Sequence, residues 1–211
     1  KLQKNMWMDI MIKYQKISVI VPVYNAQETI EECILALLNQ TYSKKDYEIV
    51  VINDASKDNS LRILKKYKNK IKIIDAKKNI GKVLARETAV KATKYNLIAF
   101  TDSDCRPNKN WLAELNALKH NAIIGITFNA PKRSFADHFY YLLRDKYYYW
   151  PNEIITLTKK NFDKVPTGTD NLLLEKKLFL NNSVQDKSIF ASDDTEMLFN
   201  IMKTNKILVG N

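Results

Sequence analysis

Leu97-Ile98-Ala99-Phe100-Thr101-Asp102-Ser103-Asp104 is the most informative stretch of this sequence. Its four apolar residues predict a buried strand, which ends at two carboxylates one residue apart. Side chains two positions apart share a face of a strand, so both carboxylates can reach one hard cation such as Mg²⁺ or Mn²⁺. A surface turn rich in Asp and Ser is the alternative, and it is the commoner explanation of an isolated Asp-x-Asp. The flanking sequence has to distinguish the two.

Four segments of the first half predict strands of one sheet. Residues 17–23 and 47–52 are rich in β-branched side chains, 71–74 is a shorter run of the same kind, and 97–100 follows. Continuous apolar runs of this length are typical of parallel strands that are buried on both faces.

Segments with helical spacing of apolar residues separate these strands. Asn25 is expected to cap the first helix, and Asp58 or Ser60 to begin the second. Gly81 is expected to open a third helix that ends near residue 94. Strands that alternate with helices at this spacing predict an α/β fold with a mostly parallel, Rossmann-like central sheet, right-handed crossovers and helices on both faces.

The second half of the sequence has a less regular pattern. Residues 110–118 and 193–203 have helical spacing, whereas 122–126 and 167–174 are compatible with strands. Residues 147–150 are all aromatic, and three interpretations stay open for them: ordinary core, a stacking platform, or a membrane-interface patch.

Composition leaves several classes of partner open. The chain has 211 residues and a formal net charge of +11, which predicts one domain and allows nucleic acid, an anionic membrane surface or a phosphorylated small substrate. The lysines are dispersed, which disfavours a nucleic-acid-binding module. No apolar run approaches the ~18 residues of a membrane span, and no signal-peptide pattern is found. Cys33 and Cys105 form no disulfide framework, so we expect a reducing, cytoplasmic location.

Three predicted strand ends bring polar side chains to one edge of the sheet. They are the ends at 24–25, 53–54 and 102–104. Open α/β sheets bind ligands just beyond the carboxyl ends of their strands. Carboxylates there suit a nucleotide plus a cation, because an Asp accepts the imide N–H of uracil and the cation bridges a diphosphate. Lys82 follows Gly81 at a helix start, where anions are favoured, and is a candidate phosphate or base contact.

Six segments of the sequence form a recognisable series: VPVYN at 21–25, NDASKD at 53–58, NIGKVLAR at 79–86, DSD at 102–104, GTDN at 168–171 and SDDTE at 192–196. In this order they resemble motifs of the inverting family 2 glycosyltransferases, which have the GT-A fold. Each segment alone is a weak signal, whereas six in the right order are a strong one. The resemblance covers about residues 17 to 204.

The resemblance implies a nucleotide-sugar site in the first half of the chain. Asp54 would bind the nucleobase, and Pro22, Tyr24 and Asn25 would surround the base and the ribose. The family usually has Asp-Asp-Gly-Ser where this chain has Asn-Asp-Ala-Ser at 53–56, which changes the detail of the base contact.

The resemblance also implies roles for the charged residues that follow. Asp102 and Asp104 would serve the ribose and a divalent cation, Mn²⁺ or Mg²⁺, with Asp104 as the more direct ligand. Arg86 either braces these carboxylates or contacts the substrate, and both interpretations stay open. Asp194 would be the general base, although Asp193 is an alternative because the family commonly has Glu-Asp at these two positions.

The activity implied is transfer of a hexosyl or N-acetylhexosaminyl group, with inversion, from a nucleotide-sugar donor, by family tendency a UDP-sugar. The acceptor would be a glycan or glycolipid hydroxyl in cell-surface polysaccharide or glycolipid synthesis, with peripheral contact at the inner face of the plasma membrane as an open possibility. Residues 1–16 would be an N-terminal extension and 17–211 one domain, with a nucleotide-binding half at 17–105 and an acceptor-side half at 106–211.

Three alternatives remain. A nucleotidyltransferase would use similar carboxylates, but it usually needs a Gly-rich phosphate loop with Arg or Lys near the first strand, which residues 22–30 lack. An inactive nucleotide-sugar-binding relative is disfavoured by the retained Asp104 and Asp194. A nucleic-acid-binding module ranks last because acids, not bases, mark the strand ends.

Overall fold

The fold was obtained as a computed structural model that describes residues 15–125, 127, 151–165, 167–183 and 193–210. Most of the predicted N-terminal extension and the aromatic run at 147–150 lie outside the described residues. Within them, no helix combines the length and apolar character that crossing a membrane requires.

One sheet runs through the described part of the molecule, with strand order β3-β2-β1-β4-β7-β5-β8-β6. The strands are β1 (Ile17–Val23), β2 (Tyr47–Asn53), β3 (Lys72–Asp75), β4 (Leu97–Phe100), β5 (Ala122–Gly125), β6 (Ile155–Thr156), β7 (Leu172–Glu175) and β8 (Leu208–Gly210). The helices are α1 (Ile30–Leu38), α2 (Ser60–Lys65), α3 (Lys82–Lys91), α4 (Trp111–Ala117), α5 (Lys176–Asn182) and α6 (Asp193–Met202).

The first half forms the parallel sheet that the sequence predicts. β1 pairs in parallel with β2 on one side and β4 on the other, and β2 pairs in parallel with β3. In this register Val23 lies opposite Asn53, and Ile20 lies opposite Phe100. The polar segments that follow β1, β2 and β4 therefore begin at the same edge.

The second half is less regular, as predicted, because antiparallel strands enter the sheet. β7 is antiparallel to both of its neighbours, β4 and β5. β8 then pairs in parallel with β5, and the two-residue β6 closes the edge in antiparallel orientation. The position of β7 places the residues before Leu172 beside the turn that follows β4.

Helices cover both faces of the sheet and bury two apolar clusters. α1, α2 and α4 pack with the β1 side chains Ile17, Val19, Val21 and Val23 on one face. α3, α5 and α6 pack with Ile20 and the strand residues that share its face on the other. Each fully buried Val, Leu or Ile stabilises the fold by about 1.5–3 kcal/mol, which makes these clusters the main source of stability.

The prediction that Asn25 caps the first helix is wrong. α1 begins at Ile30 with Thr29 in the N-cap position. Asn25 instead has a left-handed backbone, with φ of 50°, and its Oδ1 accepts a hydrogen bond from the Lys57 N–H at 2.8 Å. Asn is one of the few non-glycine residues that tolerate this conformation, so Asn25 serves the turn after β1 rather than the helix.

The starts of the next two helices agree more closely with the sequence. α2 begins at Ser60, whose N–H donates to Oδ1 of Asp58 at 2.9 Å. α3 begins at Lys82, directly after Gly81, but ends at Lys91 and is shorter than predicted. Gly81 has φ of 81°, a conformation that glycine adopts without a steric penalty.

Candidate active site

The loops after β1 and β2 are joined by direct hydrogen bonds at the carboxyl edge of the sheet. The Asp54 N–H donates to the Val23 carbonyl at 2.8 Å, and the Asn25 N–H donates to Oγ of Ser56 at 3.0 Å. Tyr24 and Asn25 are exposed on this edge, and Tyr24 has 48% of its surface accessible. Pro22 is partly buried beneath them.

Asp54 lies at the same edge but is 4% exposed. Its Oδ1 accepts the Ile80 N–H at 2.7 Å, and its Oδ2 accepts the Gly81 N–H at 3.0 Å. Asp54 therefore holds the loop that leads into α3. Each carboxylate oxygen has two acceptor positions, so each oxygen of Asp54 has a second acceptor position in addition to the one that these bonds use. Contact with a nucleobase stays a prediction for this residue.

Arg86 joins two of the predicted site carboxylates. It projects from α3 with a side chain that is 2% exposed. Its Nη1 donates to Oδ1 of Asp194, and its Nη2 lies 3.4 Å from Oδ1 of Asp102. A buried guanidinium needs such partners, since an unpaired buried charge is costly. The structure thus places Arg86 as a brace between carboxylates, and contact with substrate stays a prediction.

The other oxygen of Asp194 has two further partners. Oγ1 of Thr169 donates to Oδ2 at 2.9 Å, and Nζ of Lys82 lies 3.6 Å from the same oxygen. The Asp194 side chain is 15% exposed, whereas that of Lys82 is 46% exposed. The structure therefore brings Asp194, Arg86, Lys82 and Asp102 together, and it adds Thr169, which no pattern in the sequence distinguishes within the 168–171 segment.

Asp193 begins α6, one residue before Asp194, and its side chain lies outside the described residues. The choice between the two as general base stays a prediction that favours Asp194. Asp194 is in the first turn of a ten-residue helix, where the helix dipole favours its negative charge.

The turn after β4 carries Asp102 and Asp104. The Cys105 N–H donates to the Asp102 carbonyl at 3.1 Å, and the thiol of Cys33 contacts the same oxygen at 3.5 Å. Asp104 is exposed. Burial, together with the negative charges of Asp104, Asp170 and Asp102, raises the pKa of the Cys105 thiol to about 12. Asp170 is a carboxylate of this region that the sequence did not single out as a site residue.

The donor groups of this turn fit a hard divalent cation that is shared with substrate. Asp104 presents an exposed carboxylate near Asp102 and Asp170, whose negative charges add to the effect of burial on the pKa of the Cys105 thiol. Asp102 directs Oδ1 toward Arg86, which leaves Asp104 as the better placed ligand. In the described part of the chain, no three His, Cys, Asp or Glu residues are grouped to hold a metal ion alone. Mg²⁺ and Mn²⁺ commonly take few protein ligands and complete their shell with water and phosphate oxygens.

Known proteins resemble this chain in sequence and in fold. The model of the family described as "Glycosyl transferase family 2" matches residues 18–178. A poly(ribitol-phosphate) beta-glucosyltransferase of Bacillus spizizenii is 45% identical over 93 residues, which are 42% of this chain and 15% of that protein. The chain spans at most 33% of the first curated relatives that it matches.

Two solved structures have the same fold. Residues 1–349 of S. aureus TarS in complex with UDP-GlcNAc give a TM-score of 0.70 at 24% identity, covering 92% of this chain and 56% of that one. The mannosyltransferase PcManGT from Pyrobaculum calidifontis, in complex with GDP-Man and Mn²⁺, gives 0.65 at 20% identity, covering 90% and 53%. These likenesses confirm the predicted GT-A fold.

Proposed function

The chain belongs to glycosyl transferase family 2, and from this premise we propose that it transfers a sugar from a UDP-sugar to an acceptor hydroxyl with inversion. The observation that carries the proposal is the Arg86 brace between Asp102 and Asp194, with exposed Asp104 two residues from Asp102. It supports a cation and diphosphate site next to a carboxylate that can act as a base. The transferred group would be a hexosyl or an N-acetylhexosaminyl group.

The donor would bind along the carboxyl edge of β1, β2 and β4. The loop of Pro22, Tyr24 and Asn25 would enclose the base and ribose, and Asp54 would contact the base through its remaining acceptor positions. A UDP-sugar is supported by the solved TarS complex with UDP-GlcNAc, which shares the fold. Lys82 would contact the diphosphate, because its ammonium is exposed at the start of α3.

A divalent cation, Mn²⁺ or Mg²⁺, would be held by Asp104, with Asp102 beside it. When bound, such an ion stabilises the negative charge that develops on the leaving nucleoside diphosphate. The PcManGT complex, which contains Mn²⁺, supports this choice of ion. Asp102 would also bind the ribose, since its second oxygen is not the one that faces Arg86.

The residues of the chain would remove a proton from the acceptor and place charged groups beside the reacting atoms. Asp194 would accept the proton of the attacking hydroxyl, which would approach the anomeric carbon opposite the diphosphate and so invert it. Arg86 places a positive charge beside Oδ1 of Asp194 and so orients the carboxylate. Lys82 would stabilise the leaving diphosphate as its negative charge increases.

The acceptor would be a glycan or glycolipid in cell-surface polysaccharide synthesis. Support comes from the Bacillus relative, whose name specifies a poly(ribitol-phosphate) acceptor. The location would be cytoplasmic, which the proposed use of nucleotide sugars and the free thiols of Cys33 and Cys105 support. Peripheral membrane contact has no support among the described residues and stays a prediction from sequence.

The test is a transfer assay with a panel of UDP- and GDP-sugars, with Mn²⁺ and with EDTA. Release of UDP that requires both an acceptor glycan and Mn²⁺ is expected. The anomeric proton signal in the NMR spectrum of the product should show inverted configuration at the anomeric carbon. Pyrophosphate release from a nucleoside triphosphate would support the nucleotidyltransferase instead. Tight UDP-sugar binding without turnover on any acceptor would identify an inactive relative.

A further inference from the structure

We propose that Thr169 is a positioning residue for the general base: its hydroxyl fixes Oδ2 of Asp194, while Arg86 fixes Oδ1. The inference rests on the proposed function, because Asp194 has this role only in a sugar transfer. Thr169 Oγ1 lies 2.9 Å from Oδ2. A threonine hydroxyl has one hydrogen, and a carboxylate only accepts, so the hydroxyl donates to Asp194.

The backbone around Thr169 is tethered, so its hydroxyl has little freedom to move. Thr169 is 1% exposed. Two residues further on, the backbone carbonyl of Asn171 accepts a hydrogen bond from the Gly125 N–H at 2.8 Å. The side-chain Oδ1 of Asn171 accepts the indole N–H of Trp111 at 2.8 Å. A Cβ at Gly125 would lie 2.3 Å from Nδ2 of Asn171, so a larger residue there would displace the Asn171 side chain.

Two donors on different oxygens fix a carboxylate more firmly than one. The terminal torsion of an Asp side chain is broad, so a carboxylate held by one oxygen can rotate about it. Lys82 also lies near Oδ2, but at 3.6 Å and with an exposed ammonium that solvent or a phosphate can take. Thr169 therefore supplies a buried hydrogen bond at Oδ2 that donor binding would leave in place.

This constraint matters for a general base, which has to aim a free acceptor position at the hydroxyl within hydrogen-bond reach. A displacement of about 1 Å at a reacting group can reduce the rate by about 10²-fold. Loss of the Thr169 hydroxyl would leave the sugar donor's own contacts intact. The expected signature is a lower kcat with an unchanged KM for the donor.

The purely structural explanation is that Thr169 only satisfies a buried polar group. Thr93 supplies the matched control, because it is 8% exposed and its Oγ1 donates to the Val90 carbonyl at 2.7 Å, beyond the end of α3. A Thr→Val change at either position removes one buried hydroxyl and keeps the side-chain volume. Only the change at position 169 should reduce kcat.

The experiment compares Thr169→Val, Thr169→Ser and Thr93→Val in the whole chain, with steady-state kinetics and thermal unfolding for each. Thr169→Val should lose about 10- to 100-fold in kcat at constant donor KM, Thr169→Ser should recover most of that loss, and Thr93→Val should lose stability only. A crystal structure of Thr169→Val should show the Asp194 carboxylate rotated about its terminal torsion.

Wild-type kcat in folded Thr169→Val, a raised donor KM as its sole defect, or no recovery in Thr169→Ser would each overturn the inference. If the wild-type chain turns over no nucleotide sugar, the proposed function fails. The crystal structure then still decides the positioning role, since an unrotated carboxylate in Thr169→Val excludes it.

Discussion

The guanidinium of Arg86 donates to the carboxylate of Asp194, a residue 108 positions further along the chain. Arg86 is on α3, beside the parallel half of the sheet, and Asp194 is on α6, beside the mixed half. The second terminal nitrogen of Arg86 contacts Asp102, which follows β4. The buried guanidinium therefore links the predicted metal site to the predicted base.

Replacing Arg86 by Met should destabilise the fold by about 3 kcal/mol, because it leaves two carboxylates without their buried partner. The loss should be smaller than for a fully buried pair, since Asp102 is 32% exposed. Urea unfolding at pH 7 measures it. Arg62→Met, on the exposed face of α2, is the control and should change stability by less than about 0.5 kcal/mol. Equal stability of Arg86→Met and wild type would contradict the bracing role of Arg86.

Asp194→Asn should keep donor affinity and reduce kcat by about 10²-fold or more, the usual loss for a general base. The amide keeps the shape of the side chain but cannot take the proton. Steady-state kinetics and UDP-sugar binding by calorimetry measure the two effects. Asp193→Asn is the matched comparison, and an inactive Asp193→Asn beside an active Asp194→Asn would move the role to the first carboxylate.

Asp104→Ala should weaken UDP binding in Mn²⁺ and leave the fold intact, because the side chain is exposed. Calorimetric titration with UDP, in Mn²⁺ and in EDTA, separates the cation-dependent part of the affinity. Asp46→Ala is the control, since Asp46 precedes β2 at the opposite edge of the sheet. Parent-like affinity of Asp104→Ala in Mn²⁺ would exclude it as the cation ligand.

The first half of the fold was predictable because its signals are local. β1, β2 and β4 are predominantly apolar runs, and the polar residues at their ends identify the edge with the candidate site. The insertion of β7 between β4 and β5 was not predictable, because strand order depends on pairings between distant segments. The predicted helix cap at Asn25 was wrong for a related reason, because the Asn25 side chain accepts a hydrogen bond from the Lys57 backbone in the next loop.

The candidate site, too, was predictable only where its signals are local. Asp54, Asp102 and Asp194 were identified as candidates from short sequence segments, but the hydrogen bonds and ion pairs between them and their neighbours were not predicted. A bracing role for Arg86 was one of two interpretations from the sequence, but the sequence does not show that it joins Asp102 to the distant Asp194. Thr169 lies in the GTDN segment at 168–171, but nothing there gives it a role, and only the 2.9 Å contact with Asp194 distinguishes it.

Asp58 should make stability depend on pH in the acidic range. Burial raises its pKa, but hydrogen bonds from Ser60 and from the Gln27 N–H outweigh that effect and lower it. A lowered folded-state pKa means that the stabilisation is complete above the ordinary pKa of Asp, near 4. It is lost as the pH falls through the lower folded-state value.

Asp58→Asn should therefore cost about 1 kcal/mol at pH 7, the usual scale for a carboxylate at a helix start. The difference from wild type should shrink as the pH falls below about 4. Urea unfolding between pH 7 and pH 3 measures this, with Asp46→Asn as the control. A difference that stays constant down to pH 3 would contradict the assignment.

The net charge of +11 yields the prediction that separates an enzyme from a nucleic-acid binder. Nucleic acid should bind weakly and without sequence preference, and its affinity should fall steeply with salt because each neutralised phosphate releases counterions. UDP-sugar binding should fall far less, since under the proposed function hydrogen bonds to the base and a divalent cation would carry it. The measurement is a titration of both ligands between about 50 and 200 mM salt, where counterion release is large. Sequence-selective nucleic-acid binding that persists at the higher salt, with no UDP-sugar binding, would contradict the glycosyltransferase proposal.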